Sequence, residues 1–382
     1  MIPFPGAGSA AASAAVVASA AILVWAGMAD PLCNWDLVAY TACALEFGGT
    51  PDSSLREETY RSLEESIPPG AYSEIVSSTT GRIARATDDA SLLQHLPFYR
   101  TRPAYVALLA GLTGAGLDPL RAACAISTAA ALGTLLLLLR LVPGRGRPGL
   151  TAAVALGSLG AGLVEVARHA TPDALAALCA VSVSALLLRR RRAVLLLFPL
   201  CILVRTDLLL FVLPLCVYSL ARLPFPRVLT ALSAALSTAL APMLHHVAGG
   251  YGWETTFEYT FLGQAAYPAL LPGSVTAAGY ISVLRSSASS IPHSETWVFL
   301  FAAVILLGLS AKQPGAASAG TLRSDSRFIL AAAGLSALLH FLVFPAAWLR
   351  FFAGQFTMAL PLAASLCIDR ARLQGRGGTC SR

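Results

Sequence analysis

The stretch SAAASAAVVASAAILVWAGMADPLCNWD, residues 9–36, decides the fold because it begins as membrane-compatible chain and ends as polar chain. Its first part, Ser9–Ala29, has the length and apolar character of a membrane helix, since about 20 residues cross the hydrocarbon core. Directly after it the composition changes, and the polar segment 30–102 follows. The sequence therefore predicts a first span followed by a large loop, with the acid Asp36 at the membrane edge.

The composition of the rest of the chain predicts an all-α, polytopic membrane domain covering residues 1–382. Charged residues make up 12% and hydrophobic residues 56%, with a mean hydropathy of +0.68. A soluble domain carries about twice that charge. The net charge of +7 comes from arginines in short loops and the tail, and no basic helix interleaved with aromatics occurs. We therefore expect a membrane environment and no nucleic-acid partner. No CxxC or His–Cys cluster suggests zinc.

Arginine-rich loops set the predicted topology, because positive charge collects on the cytoplasmic side. These inner arginine clusters are Arg140/Arg145/Arg147, Arg189–Arg192, Arg222/Arg227 and the basic tail 369–382 with Arg370, Arg372, Arg376 and Arg382. The segment 30–102 holds eleven acids against six arginines, which places it outside. The N-terminus lacks a positive n-region, so we expect an uncleaved first helix. The prediction is a multi-pass protein of the inner (plasma) membrane with both termini cytoplasmic.

Parity along the chain gives two further predictions. Two apolar segments separate the outer loop from Arg140, yet the chain must cross an odd number of times. We expect segment 103–116 to be a juxtamembrane helix and Leu117–Leu139 to cross. The segment Ala193–Ala221 has cytoplasmic flanks at both ends, so it forms a hairpin with Arg205 at its outer turn. Each arm is about 15 residues, roughly 22 Å, which is short for a 30 Å core and suggests a water-filled outer cavity.

The remaining segments complete a prediction of about ten spans. A second outer loop covers residues 249–295 and carries the aromatic run from Tyr251 to Phe261. The spacing of these aromatics suits an amphipathic helix lying in the membrane interface. The last outer turn is Pro345–Arg350, after which Phe351–Ile368 returns to the cytoplasm.

Asp36 is the candidate catalytic residue. Tyr40 follows it by four residues, so a helix would place both side chains on one face. A carboxylate at the membrane–water boundary can accept a proton from a hydroxyl group. The alternative is that Asp36 only caps the first helix of the loop.

Other polar groups are predicted to converge on the level of Asp36 from separate outer turns. Arginines stand at the ends of three spans, against the topological preference for cytoplasmic positive charge. The forked donors of arginine suit phosphate oxygens. The predicted substrate-binding residues are Tyr40, His95, Arg100, Arg102, Arg168, His169, Asp173, Arg205, Asp207 and Arg350.

At these residues the chain resembles the GT-C superfamily of polytopic glycosyltransferases, which take sugars from polyprenyl-phosphate carriers. The resemblance rests on Asp36 after the first span and on the large first outer loop. It also rests on the stretch LPFYRTRPAY at 96–105, which resembles the Pro-containing start of the family's juxtamembrane helices. Thr171–Pro172–Asp173 and Val204–Arg205–Thr206–Asp207 resemble outer-turn motifs of bacterial members.

The resemblance implies an inverting transfer to an acceptor on the outer face. Asp36 would deprotonate the hydroxyl of a lipid or glycan acceptor, and Arg205 and Arg350 would hold the leaving lipid phosphate. No Asp–Asp or Asp–Glu pair stands at position 36. The candidates for the base are therefore Asp36 and its rival Asp30. The pattern identifies no certain cofactor, and it leaves a divalent metal open.

Two other functions compete with this one. A transporter or flippase would carry ionisable groups deep within spans and show related halves. Only Glu165 lies near a span interior, and no internal repeat is present. A non-catalytic membrane scaffold of a cell-envelope complex would share the same composition, and only an activity test separates it from an enzyme.

Overall fold

The computed structural model describes residues 7–142, 147–310 and 320–377, and this part of the chain is built from α-helices. In these ranges the structure contains no β-strand, and a single β-bridge joins Leu32 to His169. The all-α prediction is confirmed. The N-terminal residues 1–6 and much of the inner loop 312–327 lie outside the described residues, as does the end of the tail 369–382.

The helices fall into an N-terminal helix, the helical segment 30–102, which is called the outer loop after its predicted position, and a bundle. They are α1 (Ala7–Ala29), α2 (Trp35–Phe47), α3 (Asp52–Ser66), α4 (Pro69–Ser77), α5 (Thr80–Thr87), α6 (Asp89–His95), α7 (Pro97–Arg100), α8 (Pro103–Gly114), α9 (Pro119–Leu141), α10 (Pro148–Ser158), α11 (Val164–Arg168), α12 (Asp173–Leu188), α13 (Val194–Val204), α14 (Leu209–Arg222), α15 (Arg227–Val247), α16 (Trp253–Phe257), α17 (Ala277–Ser294), α18 (Trp297–Ser310), α19 (Gly320–Val343) and α20 (Leu349–Gly377). A π-helical turn, Leu159–Leu163, joins α10 to α11, and another, Glu258–Leu262, extends α16.

Five helical segments are long and apolar enough to cross a membrane by length and composition. They are Gly8–Ala29, Pro119–Leu141, Pro148–Arg168, Arg227–Val247 and Ser324–Val343. A sixth is added if Ala277–His293 and Trp297–Ser310, bent by 86°, form one span. The other predicted spans coincide with α12, α13, α14 and α20, and the count of ten remains a prediction.

The predicted hairpin at Arg205 is interrupted where the sequence suggested. Arg205 has extended backbone angles and ends α13, and a 3₁₀ turn, Thr206–Leu208, precedes α14. The stretch is therefore not one continuous helix. With 11 residues, α13 is about 16 Å long, too short for a full hydrocarbon core.

The end of the bundle that carries the inner arginine clusters is held together by polar contacts. Arg189 donates to the carbonyl of Arg140 at 3.3 Å. Its neighbour Arg190 pairs with Asp325 at 3.3 Å, and Asp325 also accepts a hydrogen bond from Tyr218. Two arginine clusters and the start of α19 therefore share one end of the bundle, as the predicted topology requires. The opposite end, which carries segment 30–102, is called the outer end below.

The outer loop folds into six short helices with a core of its own. Leu37, Leu55, Leu63 and Leu92 are fully buried in this core. The core continues into α8 and the first turns of α9. Helix α8 is 12 residues long, or about 18 Å, and packs against α2 and α9. Its length agrees with the predicted juxtamembrane position.

Close approach of helices in the bundle depends on small residues, which is the usual way helices pack in lipid. A Cβ on Gly354 of α20 would lie 2.7 Å from the Cα of Ala177 in α12. At the π-helical turn, Gly162 has φ +108°, and a Cβ there would lie 2.8 Å from that of Ala353. These contacts bring the N-terminal end of α20, with Arg350, against the turn that precedes α12.

Candidate functional site

A cavity of about 440 Å³ lies where the helical outer loop meets the outer end of the bundle. Its size is that of an ordinary small-molecule site. Six predicted site residues line it together: Asp36, Tyr40, Arg102, Asp173, Arg205 and Arg350. These residues come from segments that are far apart in sequence, so their predicted convergence is observed.

Asp36 projects from the first turn of α2 towards this cavity. The N-cap residue of α2 is Asn34, and Asp36 makes no capping hydrogen bond to the helix backbone. Its carboxylate instead accepts hydrogen bonds from Tyr99 Oη at 3.0 Å, Arg350 Nη1 at 2.9 Å and Asn34 Nδ2 at 3.1 Å. Asp36 is therefore a member of the cavity wall, and the alternative that it only caps α2 is wrong.

The surroundings of Asp36 keep it ionised. Burial by itself would raise the pKa of the Asp36 carboxyl, but the charge of Arg350 and the hydrogen bonds from Arg350 and Tyr99 hold the pKa below its usual value. Asp36 is thus a carboxylate at neutral pH. While Arg350 stays paired with it, its basicity is low.

Arg205 and Arg350 both form ion pairs with carboxylates. Arg205 makes a bidentate contact with Asp207, through Nε at 3.0 Å and Nη2 at 2.5 Å, and its Nη1 donates to Asp173. Arg350 lies between Asp36 and Asp173, with its Nε 3.8 Å from the Asp173 carboxylate. His340 Nδ1 lies 3.2 Å from Asp207. The result is a largely buried ion-pair network that joins α12, α19 and α20 to the 3₁₀ turn before α14.

Arg102 differs from these two arginines because it has no carboxylate partner among the described residues. Its Nη1 donates to the carbonyl of Phe98 at 2.7 Å. Its guanidinium lies 5.9 Å from the ring centres of both Tyr40 and Tyr99. Arg102 also lines the cavity. It is therefore a cation that is held in place by aromatic rings and still able to bind an anion.

Aromatic side chains form much of the rest of the cavity wall. Phe98 stacks on Tyr259 at 5.0 Å and contacts Tyr251 at the same distance, and all three rings line the cavity. The aromatic run was predicted to lie along the membrane interface. In the structure Phe257 is buried, and Tyr251 and Tyr259 line the cavity beside the outer loop.

Three predicted substrate-binding residues lie away from the cavity. Arg100 pairs with Glu46, with its Nε at 2.8 Å from the carboxylate. Arg168 pairs with Asp30 at 2.7 Å, and neither residue lines the cavity. Asp30, the rival base, is thus engaged elsewhere. Asp207 is absent from the cavity lining and supports Arg205.

Of the two predicted histidines beside the cavity, His95 is buried and His169 is half-buried. His169 lines a smaller adjoining pocket with Glu165 and Arg350, and its Nδ1 is 3.5 Å from Asn34. Burial and the nearby Arg350 charge lower the pKa of His169. His95 is fully buried and contacts the edge of Trp35. Burial, together with the Arg85 charge, lowers the pKa of His95 to about 4, so it is neutral at physiological pH.

Sequence reasoning missed several residues of the wall, above all Tyr99, Arg82 and Arg85. Tyr99 was inside a quoted motif and could have been selected as a hydrogen-bond donor. Arg82 and Arg85 lie in a polar helical loop, where an inward-facing arginine has no local signal. Among the described residues, no group of three or more His, Cys, Asp or Glu side chains is arranged to hold a metal ion.

Comparison with known proteins adds nothing to this geometry: no protein family, curated protein or solved structure matches the chain.

Proposed function

We propose that this protein is a membrane glycosyltransferase of the GT-C type that takes a sugar from a polyprenyl-phosphate donor. The observation that supports the proposal is one cavity at the outer end of the bundle, lined by a carboxylate, Asp36, and by a guanidinium, Arg102, that has no carboxylate partner among the described residues. A transfer of this kind needs a base and a stabiliser of the leaving phosphate on either side of one anomeric carbon. Aromatic walls suit the flat faces of a sugar ring.

The proposed reaction is a single displacement with inversion. Asp36 accepts the proton of the acceptor hydroxyl, and the hydroxyl oxygen forms a bond to the anomeric carbon. The bond from that carbon to the phosphate oxygen breaks, and the polyprenyl phosphate leaves with the electron pair. Arg102 stabilises the negative charge that develops on the phosphate. The acceptor is a lipid or a glycan on the outer face.

The ion-pair network changes the roles that the sequence suggested for two arginines. Arg205 is held by Asp173 and Asp207 and is 5% exposed, so its function is to hold neighbouring helices together at the outer end of the bundle. Arg350 contacts Asp36 and has a second acid, Asp173, within 3.8 Å. A phosphate arriving beside Arg350 can draw it away from Asp36. Loss of that partner raises the basicity of Asp36 at the moment when the substrate is present.

The proposed membrane arrangement follows from the same features. In this arrangement the chain crosses a bacterial-type inner membrane about ten times, and both termini lie in the cytoplasm. The cavity opens to the outer face. The described helix ends agree with this arrangement, since inner arginine contacts and the Asp36 cavity occupy opposite ends of the bundle.

The test is turnover of polyprenyl-phosphate sugars by the purified protein in proteoliposomes. A panel of pentose and hexose donors is offered, and release of free polyprenyl phosphate is measured. Asp36→Asn keeps the shape of the side chain and removes its basicity, so turnover should fall about a hundredfold or more. The matched control is Asp30→Asn, which removes the rival acid but leaves the cavity unchanged.

Two outcomes oppose the proposal. Equal turnover by wild type and Asp36→Asn would remove Asp36 from the chemistry, and a selective loss in Asp30→Asn would transfer the role to Asp30. Absence of turnover with every donor, in a folded wild-type protein, would favour a scaffold.

A further inference from the structure

A second arginine on the cavity wall, Arg85, is buried without a counter-ion. Its relative exposure is 1%, and no carboxylate of the described chain lies within ion-pair distance of it. Its Nε is buried and has no hydrogen-bond partner. A buried charge is ordinarily paired, because removing an ion from water is costly unless another charge compensates it.

The groups around Arg85 position it but do not neutralise it. The guanidinium lies 4.0 Å over the ring of Trp35. Its Nη1 contacts His95 Nε2 at 2.8 Å and donates to Tyr259 Oη at 3.2 Å. Each of these partners is uncharged at neutral pH or offers only a π face. The contacts therefore hold the fork in one orientation and leave its positive charge in place.

The tautomer of His95 follows from its contacts with Ser91 and Arg85. Its Nδ1 is 2.7 Å from the carbonyl of Ser91, which can only accept, so Nδ1 carries the proton. Arg85 can only donate, so Nε2 is the acceptor. His95 is thus the neutral tautomer, and it serves to orient Arg85.

Helix α5 buries its arginine face and exposes its isoleucine, the opposite of the orientation that apolar burial favours. It buries Gly81 and Arg85, whereas Ile83 is 46% exposed. Burial of apolar surface would favour the opposite rotation. The helix is therefore held with its arginine inward at the expense of an exposed isoleucine, which indicates that the inward arginine has a use.

We infer that Arg85, oriented by Trp35, His95 and Tyr259, forms a second oxyanion subsite in the cavity, separate from Arg102. It takes a phosphate or carboxylate group of the acceptor. The Arg85 guanidinium stacks over the ring of Trp35, and Trp35 directly precedes Asp36 in α2. An acceptor whose anionic group binds Arg85 therefore has its hydroxyl near the base. This inference rests on the proposed function for the identity of the ligand as the acceptor, but the anion subsite itself does not.

The experiment measures anion binding with the Arg102 site removed. Full-length Arg102→Gln protein in phosphatidylcholine nanodiscs is titrated with inorganic phosphate and with farnesyl phosphate at constant ionic strength. The thermal unfolding midpoint is followed. We expect a saturable rise with at least one of the two probes. Adding Arg85→Gln should weaken that binding about 10- to 100-fold, the effect of losing charge-assisted hydrogen bonds.

Arg61→Gln in the same background is the matched control, because Arg61 is an exposed arginine of the outer loop. It should leave the binding unchanged. If the Arg85→Gln protein does not fold, Arg85→Lys retains the charge, loses the fork and should bind at least several-fold more weakly. A response to inorganic phosphate indicates a headgroup-independent site, and a response to farnesyl phosphate alone indicates a lipid phosphate.

Two results would overturn the inference: no anion-dependent shift in Arg102→Gln, or a shift that Arg85→Gln and Arg85→Lys leave intact. Addition of Asp36→Asn separates this inference from the proposed function. That variant should lose transfer and retain Arg85-dependent binding, so failure of the enzyme hypothesis does not remove the subsite.

Discussion

Replacing Arg350 by Gln should move the pH dependence of transfer, because Arg350 controls the basicity of Asp36. The Arg350 Nη1 atom lies 2.9 Å from the Asp36 carboxylate, and the two side chains are only 14% and 23% exposed. Burial raises the pKa of Asp36, but the charge and hydrogen bond of Arg350, with smaller contributions from Tyr99 and Arg102, together hold it below its usual value. Gln retains a hydrogen-bond donor and removes the charge.

The expected size of the change follows from the geometry. Two unit charges about 4 Å apart interact by about 4 kcal/mol at an effective dielectric constant of about 20. One pKa unit corresponds to about 1.4 kcal/mol, which sets an upper limit of about 3 units. Other hydrogen bonds to Asp36 remain, so we expect the pKa of Asp36 to rise by about 1–3 units. The base works when deprotonated, so the acid limb of the rate profile moves to higher pH.

The assay is kcat/KM against pH for release of polyprenyl phosphate, since this parameter reports the ionisation of the free enzyme. Arg350→Gln should lose activity at a higher pH than wild type, because removing the charge of Arg350 raises the pKa of Asp36. Arg100→Gln is the matched control, since Arg100 pairs with Glu46 away from the cavity. An unchanged acid limb in Arg350→Gln, or a shift to lower pH, would refute the reasoning.

Three further predictions concern stability and topology. Arg205→Gln removes the arginine partner of Asp173 and Asp207, so it should reduce the free energy of unfolding by about 3–5 kcal/mol in a denaturant titration. The control, Arg100→Gln, breaks a half-exposed pair and should reduce the free energy of unfolding by about 1 kcal/mol or less. Gly162→Ala meets both a positive φ and a 2.8 Å contact and should lower stability by about 1–3 kcal/mol, with Gly160→Ala, which has open space, near neutral. Equal thermal midpoints for the two glycine variants would contradict the packing argument. Ala115→Cys should react with impermeant maleimide from the outer side only, and labelling only from the cytoplasm would place the 103–116 segment in a span instead.

Local composition was enough to predict much of the order of helices and loops in this protein. The change from Ser9–Ala29 to the acidic segment 30–102 marks a helix followed by a separate outer unit, because lipid tolerates no run of charged residues. Parity of the arginine clusters placed a break at Arg205, and the backbone there is indeed extended. The spacing of Asp36 and Tyr40 put both residues on one helical face, and both line the cavity. Each inference needed only the order of residues along the chain.

The tertiary structure decided which charged side chains form ion pairs with one another. Arg100 and Arg102 are two residues apart, yet one pairs with Glu46 and the other faces the cavity without a carboxylate. Arg350 reaches Asp36 across 314 residues of sequence. Arg85 points inward while Ile83 is exposed. The rotation of a short helix and its neighbours depend on the packing of distant segments, so the charge left free for a ligand is set by the assembled fold and has no signature in the local sequence.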